Sequence, residues 1–348
     1  MPSTEIPELE TYHRIDRNEL AARFLVAKSV RVDCDPWELD DASLRSVHEE
    51  GMEEFKAVWE EEPSPRDVAP TSPSLLDVKV EIARRLASPC EQCERRCGVN
   101  REEGERGYCG VGWKPTISSE FLHLGEERVL VPSHTVFFCG CTFRCVYCQN
   151  WDIAFDPDGG VEVPPEKLAN VIKYRRRTEG SRNVNWVGGD PTPALHYVLR
   201  VLQVLDVNVP QVWNSNMYMS LEAVEILEGV IDLYLADFRY GNDRCASRYS
   251  DVEGYWEVVT RNHELAYEQC DLIVRQLVLP NHVECCTFPI LEWIANNLGT
   301  DVPLNVMPQY RPEYRAREFE EISRRPTEDE IRAAWRKAEE LGFRWYRL

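Results

Sequence analysis

From residue 134 onward, short apolar runs alternate with longer segments whose apolar residues recur every three or four positions. The short runs are typical of buried strands, and the longer segments are typical of amphipathic helices. The predicted strands are 135–138, 183–187, 211–213, 232–238, 271–279, 303–307 and 343–346. The predicted helices are 165–176, 193–205, 221–229, 255–269, 283–297 and 327–341, the last opening with a Thr327–Glu330 capping box. This alternation favours parallel strands with crossover helices, in either a doubly wound sheet or a partial barrel.

The first part of the chain has a different pattern. Apolar residues recur at helical spacing in 18–32 and 44–59, and a proline-rich stretch, 62–73, follows as a loop or linker. Residues 1–62 carry seventeen acidic and seven basic side chains. We therefore predict three parts: an acidic helical extension over 1–80, a cysteine-rich metal-binding segment over 81–128, and the strand–helix series over 129–348.

The composition of the chain argues against several classes of function. The chain has 348 residues, 43% of them hydrophobic, and a formal net charge of −20. A surplus of acidic groups argues against binding nucleic acid or an anionic membrane surface. No run of about 18 apolar residues is present, and the first ten residues lack the basic and apolar regions of a signal peptide. We expect a soluble, cytoplasmic protein.

Thirteen cysteines are unusual against that background, because cytoplasmic cysteines in clusters more often bind metal than form disulfides. Eight of them form two groups. The five scattered cysteines, including the pair Cys285 and Cys286, are interpreted as core residues. Cys139 of the second group is interpreted in the same way and is the least certain. His134, His196 and His282 are interpreted as structural.

The second cysteine group directly follows the first strand of the series. Cys141, Cys145 and Cys148 have the spacing C-x3-C-x2-C. Three thiolates on a short loop can bind three irons of a [4Fe–4S] cluster and leave the fourth iron open for a ligand. The alternatives are a zinc knuckle, or a four-ligand site completed by Cys139.

This loop resembles the signature of the radical S-adenosylmethionine (SAM) superfamily, with Tyr147 as the aromatic residue before the last cysteine. Within the superfamily the chain resembles an Fe–S branch similar to pyruvate formate-lyase activating enzyme, through segments 148–152, 188–193 and 309–314. The resemblance runs from about Cys90 to the C-terminus and leaves 1–80 outside. It implies a partial (β/α)6 barrel with a [4Fe–4S] cluster and SAM as cofactors.

The resemblance also implies SAM contacts at the ends of successive strands. Gly188-Gly189-Asp190 is similar to a Gly-Gly-Glu motif that binds the SAM amino group, with Asp in place of Glu. Asp237-x-Arg239 is similar to an Asp-x-Lys motif, with Arg in place of Lys. The implied contacts are Tyr147, Gly188, Gly189, Asp190, Asn214, Asn216, Asp237, Arg239 and Arg275.

The first cysteine group consists of Cys90, Cys93, Cys97 and Cys109. Four thiolates can complete either a tetrahedral zinc site or a second [4Fe–4S] cluster. A second cluster could relay electrons to the first, whereas zinc would hold the shape of this glycine-rich segment. The spacing leaves both readings open.

The function implied by the resemblance is that of a radical SAM oxidoreductase. It would cleave SAM reductively to a 5′-deoxyadenosyl radical and abstract hydrogen from a substrate, with activation of a glycyl-radical partner protein as the leading analogy. The alternatives are modification of another protein, peptide or small molecule, and a non-catalytic iron–sulfur redox protein. The expected partners are an electron donor and a protein substrate, without nucleic acid or membrane.

Overall fold

The computed structural model describes residues 5–348 and is organised around one eight-stranded sheet. Residues 1–4 of the predicted extension lie outside the described residues. The strands are β1 (Thr116–His123), β2 (Ser133–Phe138), β3 (Val161–Glu162), β4 (Asn183–Gly188), β5 (Gln211–Ser215), β6 (Leu233–Asp237), β7 (Asp271–Leu277) and β8 (Leu304–Met307). Their order across the sheet is β3-β1-β2-β4-β5-β6-β7-β8.

Most of the sheet is parallel and its edges do not meet. β2 and β4 to β8 pair in parallel, while β1 and β3 pair antiparallel at one edge. The sheet runs from β3 to β8 without closing. The predicted α/β class and the partial barrel are therefore confirmed, and the doubly wound alternative is set aside.

Most of the helices pack on the outer face of the sheet, and the first of them packs on the concave side. They are α1 (Glu10–Asp16), α2 (Arg23–Ser29), α3 (Asp41–Glu60), α4 (Leu75–Leu86), α5 (Trp151–Ala154), α6 (Pro165–Tyr174), α7 (Leu195–Val204), α8 (Leu221–Leu227), α9 (Asp243–Ser250), α10 (Tyr255–Gln269), α11 (Phe288–Asn297) and α12 (Glu328–Leu341). The Thr327–Glu330 capping box of α12 is present as predicted. Within residues 5–348, every helix is too short or too polar to cross a bilayer.

Alternation along each strand separates two cores. Val184 and Trp186 of β4 point to the helices and belong to the large outer core. Leu233 and Leu235 of β6 belong to a smaller core on the concave side of the sheet. The upper part of that concave side is left to polar residues at the carboxyl ends of the strands, where parallel α/β folds bind their ligands.

The N-terminal residues fill the lower part of the concave side. Ile6, Leu9 and Tyr12 belong to the smaller core with residues of β5, β6 and β7. The Tyr12 amide donates to Asp271 Oδ2 at 2.8 Å, at the first residue of β7. The chain start thus packs at the amino ends of the strands. The three-part division itself stays a prediction; its boundary after residue 80 falls within α4.

Several elements differ from the sequence-based expectation. Segment 343–346 is not a strand, although the carbonyls of Trp345 and Tyr346 accept from the amides of Leu304 and Val306 at 3.0 and 3.1 Å. The pattern did not predict β1, because its half-exposed edge position needs no apolar run. It also missed α4, whose Ser74–Asp77 capping box marks the start.

A buried lysine in α4 makes stability depend on pH. Lys79 is fully buried, and its Nζ lies 2.8 Å from His48 Nε2 and 3.3 Å from the Ile226 carbonyl. Burial lowers the pKa of Lys79 to about 7. The unfolded chain therefore binds more protons than the folded chain between about pH 7 and 10.5, so this contribution to stability rises with pH over that window.

We expect Lys79→Met to raise the free energy of unfolding by about 2 kcal/mol at pH 7, because methionine needs no desolvation of an ammonium group. The same change should flatten the rise in stability between pH 7 and 10. Urea unfolding at several pH values measures both effects. Lys114→Met, at a largely exposed lysine, should change neither; a Lys79 variant that is less stable at pH 7 would contradict the assignment.

Candidate active site

The loop after β2 brings three cysteines to the carboxyl edge of the sheet. Its course is set by two backbone contacts: the Gly189 amide donates to the Phe138 carbonyl at 2.9 Å, and the Asp190 amide donates to the Gly140 carbonyl at 3.2 Å. Gly140 has a φ of 85°, a conformation that favours glycine. The cysteine loop and the Gly-Gly-Asp turn after β4 are therefore held against each other.

The three thiols are gathered in one place. Cys145 and Cys148 both lie near enough to Cys141 to raise its pKa. Cys141 Sγ lies 3.3 Å from the Gly189 carbonyl oxygen, and Ser250 Oγ donates to Cys145 Sγ at 2.9 Å. Cys141 and Cys145 are buried, and Cys148 is partly exposed.

This donor set fits an iron–sulfur cluster. Burial raises the pKa of the Cys141 and Cys145 thiols, and it raises the pKa of Cys148 to about 12. The nearby Arg239 guanidinium opposes that rise at Cys145 and Cys148. Metals bind thiolates, so buried thiols of this kind need a strong positive charge, which iron would supply.

Asp190 is clamped between two strand ends. Its Oδ1 accepts from the Thr192 amide at 2.9 Å, and its Oδ2 accepts from the Asn216 amide at 2.9 Å and from Ser215 Oγ at 3.1 Å. Burial raises the pKa of Asp190 despite these donors. The carboxylate thus ties the β4 and β5 ends together, and a ligand ammonium group would share oxygens that are already bonded.

A polar network crosses the upper concave side of three adjacent strands. Arg275 of β7 donates from Nε to Asp237 Oδ1 at 2.9 Å and from a terminal nitrogen to Asn214 Oδ1. Asp237 also accepts from Arg239. The structure therefore brings together four of the side chains singled out in the sequence, Asn214, Asp237, Arg239 and Arg275, at the carboxyl ends of β5, β6 and β7.

Two other predicted contacts support the cysteine loop. The Tyr147 hydroxyl lies 2.6 Å from the Tyr240 hydroxyl, in the buried core. Asn216 Nδ2 donates to Thr142 Oγ1 at 2.8 Å and lies 3.9 Å from Cys141 Sγ. Contact of any of these residues with SAM stays a prediction.

The first cysteine group packs directly against the second. The thiols of Cys90, Cys97 and Cys109 all lie near enough to Cys93 to raise its pKa, so the four converge. A Cβ at Gly140 of the cysteine loop would lie 2.9 Å from the Cys109 carbonyl oxygen. Two arginines join the segments further, because Arg95 donates to the Thr142 carbonyl and Arg144 donates to the Tyr108 carbonyl.

A buried arginine faces this group. Arg101 is 2% exposed, and one of its terminal nitrogens lies 3.4 Å from Cys109 Sγ. Burial raises the pKa of Cys90, and Arg101 opposes that rise. The guanidinium offsets part of the negative charge that four thiolates would carry, so the segment fits a metal centre of either predicted kind.

Sequence reasoning missed several residues near the site. Asn185 is fully buried in β4 on the face opposite Trp186, and neither atom of its amide has a partner. Ser250, which donates to Cys145, lies about a hundred residues away in the sequence. The alternating polar residues Asn183 and Asn185 within a buried strand could have indicated Asn185 from the sequence. Nothing in the sequence around Ser250 indicated its contact with Cys145.

Gly189 offers a sharp test of how the cysteine loop is held. A Cβ there would lie 2.1 Å from the Gly140 carbonyl oxygen, a contact with backbone that cannot rotate away. We expect Gly189→Ala to lower the amount of bound iron at least about tenfold. Changes to residues that position metal ligands typically lower metal affinity by this factor or more. Iron and sulfide analysis measures this. Gly112→Ala, where the nearest atom is an arginine side chain at 3.6 Å, should keep its iron.

The fold and the site together define an α/β protein with a cofactor centre of cysteine ligands at the carboxyl edge of an open parallel sheet. Residues 135–294 match the family model of the Radical SAM superfamily. These residues form a radical SAM domain. A radical SAM domain implies a [4Fe–4S] cluster and SAM, and it implies an enzyme.

Two relatives are similar to a larger part of the chain than the family model covers. MJ0674, an uncharacterized protein of Methanocaldococcus jannaschii, is 45% identical over 342 residues, which cover 97% of this chain and 98% of that protein. MJ0808 of the same organism is 25% identical over 264 residues, covering 65% and 71%. A structure of TYW1 with a lysine–pyruvate adduct bound has a TM-score of 0.39 and 13% identity, covering 59% of this chain and 73% of that chain.

Proposed function

We propose that Cys141, Cys145 and Cys148 bind a [4Fe–4S] cluster whose open iron holds SAM, and that the chain uses it to take a hydrogen atom from a substrate. When bound, cluster and SAM supply one-electron cleavage of the sulfonium, giving methionine and a 5′-deoxyadenosyl radical that accepts the hydrogen atom. The observation that carries the proposal is the convergence of three thiols, two of them buried, beside the Gly188-Gly189 turn and the Asn214–Arg275–Asp237 network.

The side chains of this site have separate tasks in the proposal. The three cysteines hold the cluster, and Gly188 and Gly189 leave room for a ligand to approach the backbone. Arg275 and Arg239 bring positive charge to the upper concave side, where a carboxylate of SAM would bind. The buried surroundings of the loop exclude water from this edge.

We further propose that Cys90, Cys93, Cys97 and Cys109 hold a second [4Fe–4S] cluster that passes electrons to the first. The contact of the Cys109 carbonyl with Gly140 supports this, because an electron relay must lie close to its acceptor. Zinc at the same cysteines would explain the shape of the segment but not its position against the cysteine loop.

Iron counting tests this assignment. We expect about eight irons per chain after anaerobic reconstitution and about four in Cys93→Ala, because each cubane holds four. The remaining four should keep the spectroscopic signature of a cluster with an open iron. Cys34→Ala, at a cysteine outside both groups, should not change the count. Four irons with one zinc in the wild-type chain would overturn the relay.

We propose that the substrate is a glycine of a partner protein, in which the chain would install a glycyl radical. The support is the similarity of Asp237-x-Arg239 and Arg275 to strand-end residues of glycyl-radical activating enzymes. Mixing the reduced protein, SAM and a glycyl-radical protein from the same genome should give a glycyl doublet in the electron paramagnetic resonance (EPR) spectrum. If 5′-deoxyadenosine forms without a protein radical, the substrate is another protein, a peptide or a small molecule.

A further inference from the structure

A third group of metal-binding side chains lies apart from the two cysteine groups. Cys245 lies in α9, after β6, whereas His282 and Cys285 follow β7. One ligand atom from each lies within 4.8 Å of the other two. Cys245 and His282 are buried, and Cys285 is partly exposed. β6 and β7 are adjacent parallel strands, so the group lies at the same carboxyl edge as the cysteine loop.

The two loops that carry this group are locked together. Asn242 accepts from the Cys245 amide at 2.9 Å through Oδ1, and it donates to the Cys285 carbonyl at 2.8 Å through Nδ2. A Cβ at the neighbouring Gly241 would lie 2.7 Å from the Cys285 carbonyl oxygen. One amide side chain and one close backbone approach therefore fix the distance between the two cysteines.

The histidine is oriented as a ligand. His282 Nδ1 lies 2.7 Å from the Pro280 carbonyl oxygen, an acceptor, so Nδ1 carries the proton. That leaves the lone pair on Nε2. Metal-bound histidines commonly donate their other ring N–H to a carbonyl in this way, which fixes tautomer and ring orientation. Tyr249, whose hydroxyl is 3.0 Å from Nε2, also lies 2.7 Å from Glu321 Oε1, to which it can give its single proton.

We propose that Cys245, His282 and Cys285 bind one Zn²⁺ ion. Two sulfurs and one imidazole nitrogen form a borderline-soft set that suits zinc. Zn–S bonds of about 2.3 Å at tetrahedral angles place sulfur ligands about 3.8 Å apart, which is compatible with ligand atoms that all lie within 4.8 Å of one another. A cubane cluster places each thiolate on a different iron and holds them further apart.

Three protein ligands leave a fourth position, which either the Cys286 thiol, 4.0 Å from Cys285 Sγ, or a substrate group could take; a fourth position held by a substrate is typical of catalytic zinc sites. The site also faces the cysteine loop. The Tyr249 ring stacks on Tyr240 with centroids 6.4 Å apart, and the Tyr240 hydroxyl lies 2.6 Å from both Tyr147 and Ser250, the partner of Cys145. A substrate thiol, carboxylate or imidazole bound to this zinc would lie beside the proposed radical centre. The zinc site itself does not depend on SAM cleavage.

Metal analysis of the full-length chain tests the site. We expect Cys245→Ser, His282→Ala and Cys285→Ser each to lose one zinc per chain relative to wild type while iron stays unchanged. Unchanged iron also shows that the variant is folded. Cys270→Ser is the matched control, since Cys270 is a partly buried core cysteine that immediately precedes β7, at the opposite end of that strand from the group, and it should keep the zinc. Full zinc in all three variants would overturn the proposal.

X-ray absorption at the zinc edge gives a second test that needs no variant to fold. The first cysteine group could offer zinc only sulfur, so an imidazole nitrogen among the zinc ligands identifies the Cys245 group. We expect sulfur at about 2.3 Å and nitrogen at about 2.0 Å. Zinc with sulfur ligands alone, or iron or copper in place of zinc, would refute it.

Discussion

Cys145→Ala is expected to abolish 5′-deoxyadenosine formation, with a fall of more than about 100-fold. Mutation of a residue that only hydrogen-bonds a metal ligand typically costs about 10- to 100-fold in activity, and loss of the ligand itself should cost more. The thiol lies in the buried centre of the cysteine loop and accepts from Ser250. No other cysteine lies between Cys141 and Cys148 to take its place. We expect the protein to lose the iron of this cluster as well, which iron analysis and EPR measure directly.

Cys139 provides the matched control. It stands two residues before Cys141 in the same loop and is just as buried, but its amide pairs with the Thr116 carbonyl of β1 at 3.0 Å. Cys139→Ala should therefore keep the iron and the product. Loss of the cluster in Cys139→Ala as well as in Cys145→Ala would favour the four-ligand site completed by Cys139. A cluster that survives in Cys145→Ala would make the ligand assignment wrong.

Arg275→Met is expected to weaken SAM binding by about 10- to 100-fold, the range for losing a hydrogen bond to a charged group, worth about 1.5–3 kcal/mol. Arg275 joins Asn214 and Asp237 across three strands, and it also lines a cavity of about 370 Å³ beside β8 with Glu126 and Glu127. Its loss removes a positive charge and leaves Asn214 and Asp237 without their hydrogen bonds from this arginine. Equilibrium binding of SAM to the iron-loaded protein measures the effect.

The controls separate binding from folding. Arg332→Met removes an exposed arginine of α12 that pairs with Glu328, and it should bind SAM as the wild type does. Arg275→Lys keeps the charge but not the planar fork, so we expect an intermediate loss. Unchanged SAM affinity in Arg275→Met with full iron would remove Arg275 from the SAM contacts.

Periodicity predicted the parallel part of the fold well, because buried strands of a parallel sheet need apolar side chains on both faces. Six of the seven predicted strands are present, as β2 and β4 to β8. The failures have physical causes. β1 lies near an edge and is half exposed, so its sequence is mixed. Segment 343–346 has the apolar composition of a strand but offers only two carbonyls to β8.

The candidate site was predictable where spacing along the chain carries the chemistry. Cys141, Cys145 and Cys148 are close in sequence, and the strand-end motifs follow the βα order. Contacts between distant segments were not predictable. Cys245 and the His282–Cys285 pair were interpreted as structural residues, because only the pairing of β6 with β7 brings them within 4.8 Å.

The N-terminal extension is another case in which contacts between distant segments were not predictable from the sequence. It was predicted only as an acidic helical segment, yet Tyr12 lies fully buried beneath the sheet, and its hydroxyl accepts from Asn183 Nδ2 at 2.9 Å. Burial there raises the pKa of Asp271 to about 6, although Asp271 Oδ2 accepts from the Tyr12 amide. The extension therefore supports the amino ends of the strands, opposite the site.

The central claim is that the cysteine loop holds a cluster that cleaves SAM. The most direct measurement is the amount of 5′-deoxyadenosine released when the anaerobic, iron-loaded protein is reduced with dithionite in the presence of SAM. We expect 5′-deoxyadenosine and methionine in equal amounts, and neither from the protein with Cys141, Cys145 and Cys148 all changed to alanine. A fully loaded wild-type cluster that releases no more than that triple variant would contradict the account.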